Sequence, residues 1–130
     1  MHYYYAVVHK DEDSAYGVHF PDVPGCFSAA DVLEDVIPNA VEALTLHLED
    51  VPAPATSDTG RIRELASEDL AEGAFLMAVP YVRNSGQLSR VNISLDRAML
   101  DAIDAAATSR KLTRSAFLAQ AARNEIEGRH

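Results

Sequence analysis

Residues 89–96 read SRVNISLD, and their strict alternation limits what the last third of this chain can become. A period of two sets Val91, Ile93 and Leu95 on one side of an extended backbone and Arg90, Asn92 and Ser94 on the other. Asp96 is a suitable N-cap for a helix that carries Met99, Leu100, Ile103, Ala106 and Ala107 on its apolar side. Beyond Ser109-Arg110-Lys111 and Leu112, Thr113 can cap a second helix, TRSAFLAQAARNEI, with Phe117, Leu118, Ala121, Ala122 and Ile126 as its stripe. One strand and two helices enclose too little core to stand alone, and a lone strand leaves both edges unpaired. Both defects vanish when the strand pairs antiparallel with its copy in a second chain. The dimer core is then Val91, Ile93, Leu95, Ile103, Phe117 and Leu118.

This strand-helix-helix order resembles the ribbon-helix-helix proteins. A two-stranded ribbon fits the major groove of B-DNA, and its outer face here is Arg90, Asn92 and Ser94 from each chain. Arg90 can donate two bonds to guanine and Asn92 can pair bidentately with adenine, so these two are expected to carry most of the base readout, with Ser94 more permissive. Lys111, Thr113, Arg114 and Ser115 are the expected phosphate contacts, around the start of the second helix where the dipole favours an anion. Lys111 stands where such proteins commonly have glycine, so a left-handed turn there costs about 1 kcal/mol if it is kept.

Charge separates this module from the rest. Residues 1–86 hold 15 Asp and Glu against 4 Lys and Arg, a net −11, whereas residues 87–130 hold 5 against 7, a net +2. Two modules with different partners are expected, with a boundary between residues 1–84 and 85–130. The single cysteine, Cys26, cannot form an internal disulfide, and with no evident catalytic partner it reads as a packed small side chain in a reducing compartment. No succession of basic, apolar and small residues opens the chain, and no apolar run nears the roughly 20 residues that span a bilayer. A cytoplasmic protein with no membrane partner is expected.

In the first module, HYYYAVVHK and AYGVHF read as two strands of a hairpin around DEDS. PDVPG then forces a turn into a short third strand near CFSA. From there to Asp50 the period becomes 3.6, with Leu33, Ile37, Ala40, Val41, Leu44 and Leu48 as one stripe. Pro38 is tolerable only in a first turn, so this helix is expected to begin near Glu34 or Asp35. VPAPATSDTG reads as a loop, RIRELASEDL as a short helix with Ile62, Leu65 and Leu70 inward, and AFLMAVPYV as a buried closing strand.

The run from Tyr16 to Asp50 resembles the HicB family of antitoxins, in which a strand ending F-P-D-x-P-G-C leads to a helix carrying N-A-x-E-A-L. Phe20, Pro21, Asp22, Pro24, Gly25 and Cys26 match the first motif, and Asn39, Ala40, Glu42, Ala43 and Leu44 match the second. Val32 stands where the family usually has threonine, which moves the expected helix cap to Asp31; Pro38 is a second departure. The resemblance implies an α+β protein: a partial ribonuclease H-like β-β-β-α-β domain followed by the ribbon-helix-helix (β-α-α) dimerisation domain. It also implies that the first domain neutralises a HicA-type mRNA-cleaving ribonuclease toxin and that the second represses the chain's own operon at operator DNA. The acidic charge of the first domain suits a basic ribonuclease. Asp22, Val23 and Pro24, with the acidic face, are the candidate toxin contacts. The assembly is a homodimer, or a tetramer if the first domain also self-associates.

Two other readings remain open on the residues alone: a ligand-sensing ribbon-helix-helix repressor without a toxin partner, and a metal-dependent nuclease using Asp11, Glu12, Asp13 and Asp22. The nuclease needs those carboxylates to converge, which nothing in their spacing requires. His9 and His19 can face each other across the hairpin, but no third ligand stands at a recognisable zinc spacing. They are therefore read as ordinary strand histidines, and no metal, cofactor or catalytic residue is expected. The terminal His130 is expected to be unordered.

Overall fold

The computed structural model describes residues 2–129, so His130 lies outside the described residues. The chain divides into two compact units, Met1–Arg83 and Asn84–His130.

The first unit is built on β1 (His2–Lys10), β2 (Tyr16–His19), β3 (Phe27–Ala30) and β4 (Phe75–Tyr81), in the sheet order β3-β2-β1-β4. Every neighbouring pair is antiparallel. Directly opposed residues share a face, so the register sorts the side chains. Tyr4 lies opposite Val79 and Val8 opposite Val18, and these residues form the core with Ala6, Phe20 and Tyr81. Against them packs α1 (Val36–His47), through Val36, Ala40, Val41 and Leu44. The odd residues of β1 point to the other face, which α2 (Thr59–Leu65) and α3 (Ser67–Ala71) accompany. Val7, Ile62 and Ala66 are buried, and the Tyr5 hydroxyl meets Thr59 Oγ1 at 2.8 Å.

The helix α1 begins at Val36, one or two residues later than the start expected from Pro38, after a 3-10 turn at Leu33–Asp35. Pro38 is still its third residue, within the first turn whose amides have no intrahelical acceptor. Asp31 does not cap it: Val32 precedes the 3-10 turn and Asp35 precedes α1, neither with a side-chain cap bond. The far end of α1 is secured instead, because Arg83 Nη2 donates to Leu48 O at 2.5 Å and also to Val51 O. A guanidinium is well placed at a helix C-terminus, where carbonyls lack partners. The Tyr4 hydroxyl donates to Pro54 O at 2.6 Å and fixes the loop that follows. RIRELASEDL forms two short helices rather than one, and Leu65 faces outward, while Ile62 is fully buried.

The second unit holds α4 (Arg97–Ser109) and α5 (Arg114–Glu127). Asp96 accepts from the amides of Ala98 and Met99, and Thr113 accepts from Ala116, so both expected caps form. Between the helices Lys111 adopts φ +58°, and Leu112 N donates to Ala107 O at 2.8 Å across the turn. Ile103 and Ala107 are buried, Phe117 and Leu118 half-buried, and Ala121, Ala122 and Ile126 exposed. Residues 84–96 form no strand in the single chain, a departure from the alternating pattern. Neither edge of this segment meets a partner strand within its own chain, and a strand is defined by such pairing.

Candidate functional site

The F-P-D-V-P-G-C stretch folds as a compact corner. Val23 N donates to Phe20 O at 3.1 Å and Cys26 N to Val23 O at 3.2 Å. Gly25 has φ +85°, a conformation that side chains disfavour. Asp22 is committed to the fold, since its two carboxylate oxygens accept from Ser57 N at 2.6 Å and Ser57 Oγ at 2.7 Å. Val23, a candidate toxin contact, is only 2% exposed and sits in the core. Of the three candidates there, Pro24 is the exposed one. Cys26 is buried, and that burial pushes its thiol upward in pKa, away from the reactive thiolate.

The second motif closes the same corner. Asn39 Nδ2 donates to Ala29 O at 2.9 Å, occupying a carbonyl of the edge strand β3. Beside it runs an open groove lined by Gly25, Phe27, Asn39, Glu42, Leu46 and His47, with Phe27 and Leu46 largely exposed. Sequence reasoning did not single out these two side chains. Their signal was available as an apolar residue at an edge strand and another outside the helical stripe.

The candidate DNA-reading residues Arg90, Asn92 and Ser94 are all exposed. So are the aliphatic residues that alternate with them, Val91 at 76%, Ile93 at 63% and Leu95 at 41%. Lys111, Thr113, Arg114 and Ser115 are also exposed at the α4–α5 turn. Arg114, however, makes a bidentate bond to Asp104, Nε to Oδ1 and Nη2 to Oδ2, each 2.8 Å. That bond holds the Asp104 carboxyl below its ordinary range and the Arg114 guanidinium above its own. Arg110 stacks its guanidinium over Phe117 at 5.3 Å.

The carboxylates of the nuclease reading do not assemble: among the described residues, the only trio able to hold a metal is His9, His19 and Asp69. Asp69 lies on α3, 50 residues beyond His19, which is why no spacing rule finds it.

A meander sheet with α1 on one face and short helices on the other, joined to a pair of capped helices, matches one family over nearly all its length. Residues 4–122 match the HicB-like antitoxins of bacterial toxin–antitoxin systems, and the chain belongs to that family. An uncharacterised 14.9 kDa protein of Haemophilus phage HP1, from the rep-hol intergenic region, is 30% identical over 130 residues, covering 94% of this chain and 96% of the phage protein. The crystal structure of the Burkholderia pseudomallei antitoxin HicB is 33% identical, covers 98% of both chains and has a TM-score of 0.51. A chain of the HicA3–HicB3 toxin–antitoxin complex is 27% identical over 63% of this chain and all of its own, with a TM-score of 0.53. Among the described residues no helix is long and apolar enough to cross a membrane.

Proposed function

We propose that this chain is a non-catalytic antitoxin that neutralises a HicA-type ribonuclease through its first unit and represses its own operon through its second. Likeness to a chain of the HicA3–HicB3 complex carries the toxin half. The acidic balance of residues 1–86 supports it, because a net −11 attracts the basic surface expected of an RNA-cleaving partner and speeds encounter. On this reading the first unit is a pared-down ribonuclease H-like domain, supported by its β1–β2–β3 meander followed by α1 and the added strand β4. Inhibition is steric and electrostatic. The toxin-facing side chains at the corner are Pro24 and the exposed pair Phe27 and Leu46, with Asp22 and Val23 supporting them from within the fold.

Operator binding rests on residues 84–130 forming a ribbon-helix-helix dimer. Three aliphatic side chains in alternation, exposed in a single chain, are what an antiparallel copy would bury. Burying them turns Arg90, Asn92 and Ser94 outward together as the major-groove face. Lys111, Thr113 and Ser115 are the phosphate contacts, and Arg114 contributes less because Asp104 already holds its guanidinium.

Co-expression with the product of the adjacent reading frame tests the function. The expected result is a stable complex whose RNA cleavage is suppressed, and which binds its own promoter fragment. A neighbouring ribonuclease that stays fully active in the presence of this chain overturns the toxin half. A promoter left unbound overturns the repressor half.

A further inference from the structure

We propose that His9, His19 and Asp69 form a binding site for a zinc-class divalent transition metal, one that staples α3 to the sheet. This is independent of the antitoxin reading. His19 lies opposite Val7 and His9 opposite Gly17, so the two imidazoles are diagonal neighbours on the α2–α3 face of the sheet. Gly17 brings no side chain to crowd them, and a Cβ built there meets nothing within 4 Å. The rings stand nearly parallel, 20° apart in plane and 5.4 Å between centroids.

Both rings direct Nε2 at the same carboxylate: His9 Nε2 lies 3.5 Å from Asp69 Oδ1 and His19 Nε2 3.8 Å from Oδ2. Direct N–H···O bonds close to about 2.7–3.2 Å, so neither contact is a formed hydrogen bond. A metal fits the spacing better. Ligands about 2.0–2.1 Å from a tetrahedral zinc ion stand roughly 3.3 Å from one another. All three ligand atoms here lie within 4.8 Å of each other, which exceeds that spacing by about 1.5 Å at most.

The ligand set is also the right chemistry. Two neutral imidazoles and one carboxylate suit zinc and its first-row neighbours, whereas calcium and magnesium prefer all-oxygen shells. One dication satisfies all three groups. The side chains are 40%, 32% and 34% exposed, which leaves the fourth coordination position open to water.

The test is a titration of the metal-free full-length chain, carrying no polyhistidine tag, with zinc chloride against a chromogenic competing chelator. Cobalt(II) absorption serves as a second readout. Binding of one ion per chain in the micromolar range or tighter is expected, with a cobalt spectrum of tetrahedral type and a rise in melting temperature on adding zinc. His9→Gln, His19→Gln and Asp69→Asn should each weaken binding by about tenfold or more and abolish the thermal rise. His2→Gln/His47→Gln should bind as the unaltered chain does. Far-UV circular dichroism identifies any variant that fails to fold, and two folded variants of the three suffice. Absence of saturable binding up to about 100 μM zinc, or equal binding by the folded ligand variants, overturns the site.

Discussion

Replacing Ile93 by aspartate tests the dimer on which the regulatory reading stands. Fully burying an aliphatic side chain is worth about 1.5–3 kcal/mol. Ile93 keeps 63% of its surface exposed in the single chain, so covering that exposed part contributes about 1–2 kcal/mol per chain, or about 2–4 kcal/mol per dimer. Aspartate forfeits that and must also be desolvated beside its symmetry mate, at a cost of several kcal/mol. A total of about 4 kcal/mol or more raises the dissociation constant by roughly a thousandfold. Sedimentation equilibrium at micromolar concentration should show dimer for the unaltered chain and monomer for Ile93→Asp. Ile93→Val, which trims one methylene at about 0.5–1.5 kcal/mol per site, should remain dimeric. A dimer mass retained by Ile93→Asp would refute the ribbon, as would an unaltered chain that is monomeric at high concentration.

Arg90→Ala and Asn92→Ala should each weaken operator binding by about 1–3 kcal/mol in fluorescence anisotropy while leaving toxin inhibition intact; loss of both activities together contradicts the division of labour between the units. Asp22→Ala removes two short hydrogen bonds to Ser57. With its half-buried setting, a loss of about 2–3 kcal/mol is expected in denaturant unfolding, about half of it recovered by Asp22→Asn, and an effect under about 0.5 kcal/mol refutes the loop-anchoring role. For the exposed Asp104–Arg114 pair, the folded carboxyl is held below its ordinary range, so its small contribution is present above that range and lost as pH falls through the lowered value. The stability difference between the unaltered chain and Asp104→Asn should therefore shrink from pH 7 toward strongly acidic solution, and a constant difference would show that the ion pair contributes nothing.

Local periodicity made much of the fold legible. Aromatic and β-branched content located β1, alternation β2 and a continuous apolar run β4, a 3.6-residue stripe located α1, and the caps Asp96 and Thr113 marked the starts of α4 and α5. Lys111 was readable too, through the resemblance, because ribbon-helix-helix proteins commonly have glycine at that place, and it takes φ +58° despite the cost. What stayed hidden depends on chain segments far apart. Ser57 comes to Asp22 across 35 positions, and Asp69 comes to the paired histidines only because α2 and α3 fold back over the second face of the sheet. Those helices are too short to show a stripe, which is also why the sequence points Leu65 inward although it is exposed. Val23 misled for the opposite reason: a turn rich in proline and glycine reads as surface, yet its one aliphatic side chain tucks beneath it.

The family motifs then have a physical explanation that differs from their first appearance as a binding signature. Asp22 anchors a loop, Gly25 supplies a left-handed turn, Cys26 fills the core, and Asn39 closes a carbonyl on the edge strand β3. Each holds the same corner of the first unit in shape, and none needs to touch a partner to do so. Residues fixed by such duties cannot vary freely to distinguish one toxin from another. On the proposed function, specificity falls to the positions the corner leaves outside, where Phe27 and Leu46 offer apolar surface beside the groove. The net acidic charge of residues 1–86 would draw in a basic ribonuclease without choosing among basic ribonucleases. Two homologues sharing both motifs would thus share this corner and, on the proposed function, differ in which ribonuclease they silence through a few exposed side chains at a rigid edge.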